Sequence, residues 1–282
     1  MSATRALDPI ALRQRRLQAL YAFMLLAPAL ILLTLFAFLP TATTLIASVH
    51  SRGTARRPSV FNGAENYADL LADPTFWTVL GNNLVYAGIT IPVSIALALV
   101  MALWADARLP LRGFVRGAYF TPTILPMIAA ANLWLFFYTP GLGVIDAFTG
   151  LFGLPPVNWL GQPQTALGAV IVVTVWKEAA QVEGAGRFTY LRRVLLPLLM
   201  PTTAFIFINA LINSVKLIDH LFILTKGGPN NATKLVLYWI WEMAFSYFDR
   251  AHAAALTALV LAVLGAVAVL QFAVLDKRIH YR

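Results

Sequence analysis

Apolar residues form long runs along this chain, and charged residues are confined to short clusters between them. A helix needs about 20 mostly apolar residues to cross ~30 Å of hydrocarbon. Five segments meet that length: 20–40, 77–104, 115–138, 197–224 and 253–275. Pro28, Pro92, Pro122, Pro126 and Pro201 fall inside these runs. They predict kinks whose freed backbone groups are satisfied by neighbouring helices or side chains. The first run follows Arg13, Arg15 and Arg16, as the core of a cleavable leader would. It is longer than the ~7–15 apolar residues of such a core, and no small-x-small site follows closely, so it reads as an uncleaved span.

Composition carries the same message. Of 282 residues, 60% are apolar and 12% charged, and mean hydropathy is +0.74. Soluble domains carry about 25% charged residues. Lipid is therefore the solvent, and no stretch outside the apolar runs is long enough to bury a core of its own. The absence of cysteine excludes disulfides and thiolate metal sites. A net charge of +9 would suit nucleic acid, but the clustering of the charges marks membrane loops instead. Lys and Arg are retained on the cytoplasmic side. With six spans and an inside N-terminus, the cytoplasmic segments hold fourteen of the 21 basic residues. They are Arg5, Arg13, Arg15 and Arg16; Arg108, Arg112 and Arg116; Lys177, Arg187, Arg192 and Arg193; and Lys277, Arg278 and Arg282. Both termini are predicted to be cytoplasmic. Neither a GxxxxGK[ST] loop nor an HExxH helix occurs, so the energy must come from another polypeptide or an ion gradient.

Six spans require a fourth crossing between the outer stretch around 139–163 and the basic segment after Lys177. The uncharged run Thr165–Trp176 offers 12 residues, about 18 Å of helix. That is too short to span, and a stretch of chain is expected to be missing between about Trp176 and Glu178.

Residues 178–201 read EAAQVEGAGRFTYLRRVLLPLLMP. Glu178-Ala179-Ala180 favours helix, Gly184 and Gly186 permit a tight turn, and Phe188, Leu191, Val194 and Leu195 recur at helical spacing. Pro197 leads into the next span. The pattern predicts a helix, a glycine turn and a second helix along the membrane surface, an element that can be presented to a cytoplasmic partner. An ordinary amphipathic surface helix is the plain alternative. A first-turn glutamate such as Glu178 is stabilised by the helix dipole whatever its role.

Polar residues inside spans are costly and face a cavity or another helix. Asn209, Asn213, Lys216 and Asp219 recur at spacings of four, three and three, and so share one helical face. They read either as a lining of a translocation path or as helix–helix contacts, with Lys216 and Asp219 paired across one turn. Asn82, Asn83, Tyr86 and Asn132 are candidates of the same kind, for which packing is the plainer reading. Trp77, Trp104, Tyr138, Trp159 and Tyr281 suit interfacial anchoring. The stretch 225–250, with Tyr238, Trp239 and Trp241, reads as exposed.

Glu178-Ala179-Ala180, Gly184 four residues on, and Leu196-Pro197 resemble the EAA loop of binding-protein-dependent ABC importer permeases of the carbohydrate uptake type, with Glu183 where Asp is commoner. Leu26-Ala27-Pro28 and Leu39-Pro40 resemble the family's first span, and Phe61 to Tyr67 its "F-x-G-L-x-N-Y" stretch. Phe76-Trp77 with Asn82-Asn83, Tyr119-Phe120-Thr121-Pro122, and the Leu224–Pro229 "LTxGGP" turn also match. The tail from Gln271 is most like the sn-glycerol-3-phosphate branch. The family carries about twenty further residues, an apolar stretch ending in a "GLQxIPxxLY"-like step, before its EAA motif.

The resemblance implies an all-α, polytopic bundle of the type I importer kind with six spans, the fourth truncated. It divides the chain into 1–75 (cytoplasmic tail, first span and outer loop), 76–276 (permease core with the coupling loop 178–201) and 277–282 (cytoplasmic tail). Glu178, Ala179, Ala180, Gly184, Ala185, Phe188 and Pro197 would couple to the ATPase, and Asn209, Asn213, Lys216, Asp219 and Asn132 would line the path of a sugar or glycerol-phosphate-like polyol. The chain would be no enzyme and hold no cofactor, ATP and Mg being bound by the partner ATPase. Its partners would be a second permease, two ATP-binding subunits, an extracytoplasmic solute-binding protein (a docking role open to 225–250) and the lipid bilayer of a bacterial inner membrane, with no nucleic acid. An ion-coupled secondary transporter is the alternative. It would need intramembrane carboxylates, of which only Asp219 lies clearly within a span.

Overall fold

The computed structural model describes residues 9–53, 58–106, 117, 121–179, 209–216 and 218–276, and every regular element among them is helical. α1 (Pro9–Leu33) continues through a π-helical stretch (Thr34–Phe38) into α2 (Leu39–Ser48). Pro40 has no N–H to offer the Phe36 carbonyl, and the helix widens there: the Leu39 N–H reaches back five residues to the Thr34 carbonyl. The hydroxyls of Thr34, Thr41 and Thr44 donate to carbonyls one turn back (Leu30, Ala37 and Pro40), so they enter apolar surroundings already satisfied. The side chains described on α1 are almost all exposed, whereas α2 packs against the last helix.

The Phe61–Tyr67 motif has a clear local purpose. Gly63 adopts φ 62°, which turns the chain into α3 (Glu65–Ala72). Buried Asn66 then donates from Nδ2 to the carbonyls of Ser48 (2.8 Å) and His50 (3.0 Å), and the Tyr67 hydroxyl reaches Ser48 Oγ at 2.7 Å. The motif clasps the open C-terminal end of the first span, where carbonyls lack helical partners.

α4 (Pro74–Asp106) spans the bundle. The third hydrophobic segment is helical at 121–124, breaks at Leu125–Pro126, and resumes as α5 (Met127–Phe137). A turn leads to the short α6 (Val144–Gly150) and then to α7 (Pro163–Ala179). Buried Asp146 organises this outer stretch. Its carboxylate accepts from the N–H groups of Gly141 (2.8 Å) and Val157 (3.4 Å) and from Trp159 Nε1 (3.3 Å). Those donors, the Gly141 N–H first, hold its carboxyl below the ordinary 3.8. Because the folded value is depressed, the stabilisation is complete above 3.8 and is lost as pH falls through the lower folded value. Trp159 fluorescence is therefore expected to stay unchanged from neutral pH to about pH 4, whereas Asp146→Asn shifts it already at neutral pH. An Asn variant indistinguishable from the parent at neutral pH would contradict this.

The fifth hydrophobic segment is not one helix. Residues 209–216 are helical, Ile218 breaks the run (φ −125°, ψ −29°), and α8 (Asp219–Leu224) starts afresh. After the Leu224–Pro229 turn come α9 (Val236–Trp241), a π-helical stretch (Glu242–Ser246) and the long α10 (Arg250–Asp276). Among the described residues three helices are long and apolar enough to cross a membrane, Leu20–Ala47, Pro74–Ala98 and Arg250–Leu270.

Two apolar clusters hold the bundle. Tyr86, Ala131, Val170, Val173, Leu221 and Leu235 join α4, α5, α7, α8 and the start of α9. Leu70, Val79, Trp239, Met243 and Leu256 join α3, α4, α9 and α10. Two expectations change here. Tyr138 is no interfacial anchor: it is buried, and its hydroxyl donates to the Ala169 carbonyl of α7 at 3.1 Å. Likewise Tyr238 and Trp239 belong to the core, and the exposed aromatics of 225–250 are Phe245, Tyr247 and Phe248.

Candidate functional site

In an uninterrupted helix the Pro122 carbonyl would accept the N–H of residue 126, but that residue is Pro126, which has none. The donor comes from another helix. Lys177, in the last turn of α7, donates from Nζ to the Pro122 carbonyl at 3.1 Å and also to the Leu125 carbonyl. An ammonium among apolar spans is costly unless paired, and two carbonyls stranded by a proline supply the pairing. The last turn of α7 is thereby fastened to the break in the third segment.

A second polar group lies beside it. Tyr86 of α4 and Thr174 of α7 share a hydroxyl–hydroxyl hydrogen bond of 2.8 Å, both fully buried. The Thr174 Oγ1 also stands 3.1 Å from the Val170 carbonyl, and Thr90 donates to the Tyr86 carbonyl at 2.7 Å. Half-buried Glu178 is near enough to Tyr86 to act on its hydroxyl electrostatically, and Ala179 behind it is buried. His220 of α8 stacks on the Tyr86 ring with centroids 6.1 Å apart. His220 is fully buried, and neither ring nitrogen has a hydrogen-bond partner among the described residues. A buried polar atom without a partner costs about 1–3 kcal/mol. His220→Phe, which keeps the stacking and removes both nitrogens, is expected to raise the thermal midpoint of the purified protein. A lowered midpoint would show that the nitrogens are paired.

Asn82 and Asn83, one turn from Tyr86, secure the segment between the Leu224–Pro229 turn and α9, and the start of α9 itself. Asn82 Nδ2 donates to the carbonyls of Asn231 (2.8 Å) and Lys234 (3.1 Å), while Asn83 Oδ1 accepts the Val236 N–H at 2.7 Å. Within the turn Lys226 and Gly227 have φ of 51° and 79°, and Thr233 donates to the Gly228 carbonyl at 2.7 Å. Both asparagines thus have packing roles.

Of the residues named for ATPase coupling, Glu178 and Ala179 close α7; Ala180, Gly184, Ala185, Phe188 and Pro197 lie outside the described residues. So do Arg108, Arg112, Arg116 and Tyr281. Asn209, Asn213 and Lys216 are exposed on 209–216. Asp219 is exposed at the first position of α8, beyond the helix break, and makes no ion pair with Lys216. Asn132 is exposed on α5 and donates to the Ile128 carbonyl of its own helix at 2.9 Å. Sequence reasoning missed the bridging role of Lys177, although the Pro122-x-x-x-Pro126 spacing announces a carbonyl in need of a donor. It also missed His220, whose position carries no such signal.

No protein-family profile matches the chain. Curated relatives match nearly all of it. The trehalose/maltose transport system permease of Thermococcus litoralis is 28% identical over 82% of this chain and 84% of its own length. The sulfoquinovosyl glycerol permease of Agrobacterium fabrum is 28% identical over 86% of each. The sn-glycerol-3-phosphate permease of the same organism is 26% identical over 92% and 96%. These relatives are transport permeases, not enzymes. A crystal structure of a bacterial ABC transporter that imports alginate has the same fold, with a TM-score of 0.77 at 19% identity over 96% of this chain and 99% of that one. A second, in complex with an alginate pentasaccharide-bound periplasmic protein, has a TM-score of 0.73 at 20% identity over 94% and 96%.

The alignment with the Thermococcus permease runs over 253 positions while using 82% of 282 residues, and those with the two Agrobacterium permeases over 265 and 281 positions while using 86% and 92%. Each leaves an excess of roughly 20 positions opposite gaps in this chain. α7 itself has 17 residues, about 25 Å of helix and the lower limit for a span, and it leads directly into the EAA segment.

Proposed function

We infer, from a fold shared with ABC importer permeases and from homologues that are sugar and sn-glycerol-3-phosphate permeases, that this chain is the membrane-spanning permease subunit of an ATP-driven solute importer. It forms half of a translocation path for a sugar or glycerol-phosphate-like polyol. The whole-length similarity to such permeases carries this reading, and the EAA pattern of 178–201 extends it to coupling. The assembly comprises this chain, a second permease, two ATP-binding subunits and an extracytoplasmic solute-binding protein, in a bacterial inner membrane with both termini cytoplasmic. ATP and Mg are held by the partner ATPase, and this chain holds no cofactor.

The mechanism is alternating access. Closure of the ATPase dimer acts on the EAA segment through Glu178, Ala179, Ala180, Gly184, Ala185, Phe188 and Pro197 and turns the cavity outward, where the binding protein delivers solute. Asn209, Asn213, Lys216, Asp219 and Asn132 are the candidates for the path; all five stand exposed on the single chain, as groups facing a path shared with a second permease would.

The deciding experiment is uptake of radiolabelled maltose, trehalose and sn-glycerol-3-phosphate into proteoliposomes bearing the complete complex. Uptake that requires ATP and the binding protein is the expected result. Uptake driven by a sodium or proton gradient without ATP would replace this reading with that of a secondary transporter.

A further inference from the structure

We propose that Lys177 is a positioning residue that fastens the root of the coupling segment to the break in the third span, so that displacement of the one moves the other. The inference rests on reading this chain as an ABC importer permease. Its grounds are geometric. Pro126 strands the Pro122 carbonyl, and the donor that replaces the missing N–H is carried by the residue immediately before Glu178. The same ammonium takes the Leu125 carbonyl, so one charge holds both the short helix that ends at the junction and the break that precedes α5.

A break in a helix with a proline on each side is a natural hinge, because the carbonyl facing it is not tied into the helical ladder. The hinge separates Thr121–Ile124 from α5. α5 carries Trp134 and Tyr138 against α7, with Trp134 and Trp176 in edge contact at 5.8 Å, so its upper part is already held by aromatic packing. Lys177 provides the corresponding hold on the lower side. Charge-assisted hydrogen bonds of this kind are directional as well as strong. Lys177 is followed directly by Glu178 in the chain, so no linker separates the tie from the EAA segment.

The test uses the complete complex and reads solute moved per ATP hydrolysed. Lys177→Met keeps the length of the side chain and removes its donors; it is expected to lower that ratio about tenfold while ATP hydrolysis persists. Lys177→Arg keeps donors at the same place and is expected to retain most of the coupling. The double variant Lys177→Met/Pro126→Ala returns an N–H for the Pro122 carbonyl and heals the helix. If Lys177 only satisfied a stranded carbonyl, the double variant would regain coupling, and the proposal would fail. Continued loss of coupling in an assembled double variant, with Lys177→Arg active, is the expected result. A coupling ratio in Lys177→Met equal to the parent's would also overturn the proposal. No ATP-dependent uptake by the parent complex would instead overturn the permease reading on which it rests.

Discussion

Glu178→Lys is expected to reduce ATP-dependent uptake about a hundredfold or more, whereas Glu178→Gln keeps it within about tenfold of the parent. Glu178 is half-buried at the end of α7, with buried Ala179 behind it and the Tyr86 hydroxyl within its electrostatic reach. The adjacent ammonium of Lys177 is committed to the carbonyls of Pro122 and Leu125. A lysine at 178 would set a second cation beside it with no anion of its own, and an uncompensated charge in such a place costs about 3–5 kcal/mol. At 1.4 kcal/mol per factor of ten, that is roughly two to three and a half orders of magnitude in the population of the coupled arrangement. Glutamine keeps the shape and removes only the charge, so a similar loss in both variants would point to a requirement for the negative charge itself. Full uptake by Glu178→Lys would remove Glu178 from any account of coupling.

Gly143→Ala is the second large effect. Gly143 closes the turn after α5, its N–H donating to the Thr139 carbonyl at 2.7 Å. A Cβ there would overlap the Phe137 carbonyl and lie 2.8 Å from the Thr139 carbonyl oxygen. Both obstacles are backbone, so no side-chain rotation relieves the clash. The turn must open, which separates α5 from α6 and withdraws the N–H of Gly141 from Asp146. Overpacking against atoms that cannot yield costs about 3 kcal/mol or more. A thermal melt of the purified chain is expected to show a clear loss, with the Trp159 environment changed first. An unchanged melt would mean that the turn is looser than this geometry. Gly141, at φ 75° and with open space around it, is limited by backbone conformation alone, so its alanine variant should cost only about 1–2 kcal/mol.

What could be read from the chain follows from the range of the interactions involved. α4 and α10 were legible because uniform hydrophobicity over more than 20 residues admits few other solutions; both run a few residues beyond the predicted 77–104 and 253–275. The FNGAENY motif was recognisable as a pattern, but its work, closing the end of α2, depends on carbonyls of Ser48 and His50 that a linear reading does not bring near. The π-helical widening before Pro40 was announced by the proline, whereas the break at Ile218 carries no glycine or proline to mark it. Tyr138 looks like an anchor at the end of an apolar run, and Trp239 like part of an exposed stretch. They are core residues because helices distant in sequence cover them, the one bonded to α7 and the other packed in the α3–α4–α9–α10 cluster.

The site divides in the same way. The EAA segment was visible as local pattern, and of its named residues Glu178 and Ala179 can be placed, at the end of α7. Lys177 appeared in the sequence as one more orienting charge. Its partners lie 55 and 52 residues away, and only the third dimension joins a proline's missing N–H to a lysine on another helix. The shortness of the fourth segment was legible from length alone, and α7, at 17 residues, is a short helix.

The proposed coupling requires the segment after α7 to meet the ATPase, although that helix sits at the lower limit of a membrane crossing. The most direct test is a photo-crosslinking residue in place of Phe188 in the assembled complex. On illumination, an adduct with an ATP-binding subunit, identified by mass spectrometry and altered in yield by ATP, is the predicted result. Adducts confined to lipid, or to the solute-binding protein on the opposite side, would contradict it.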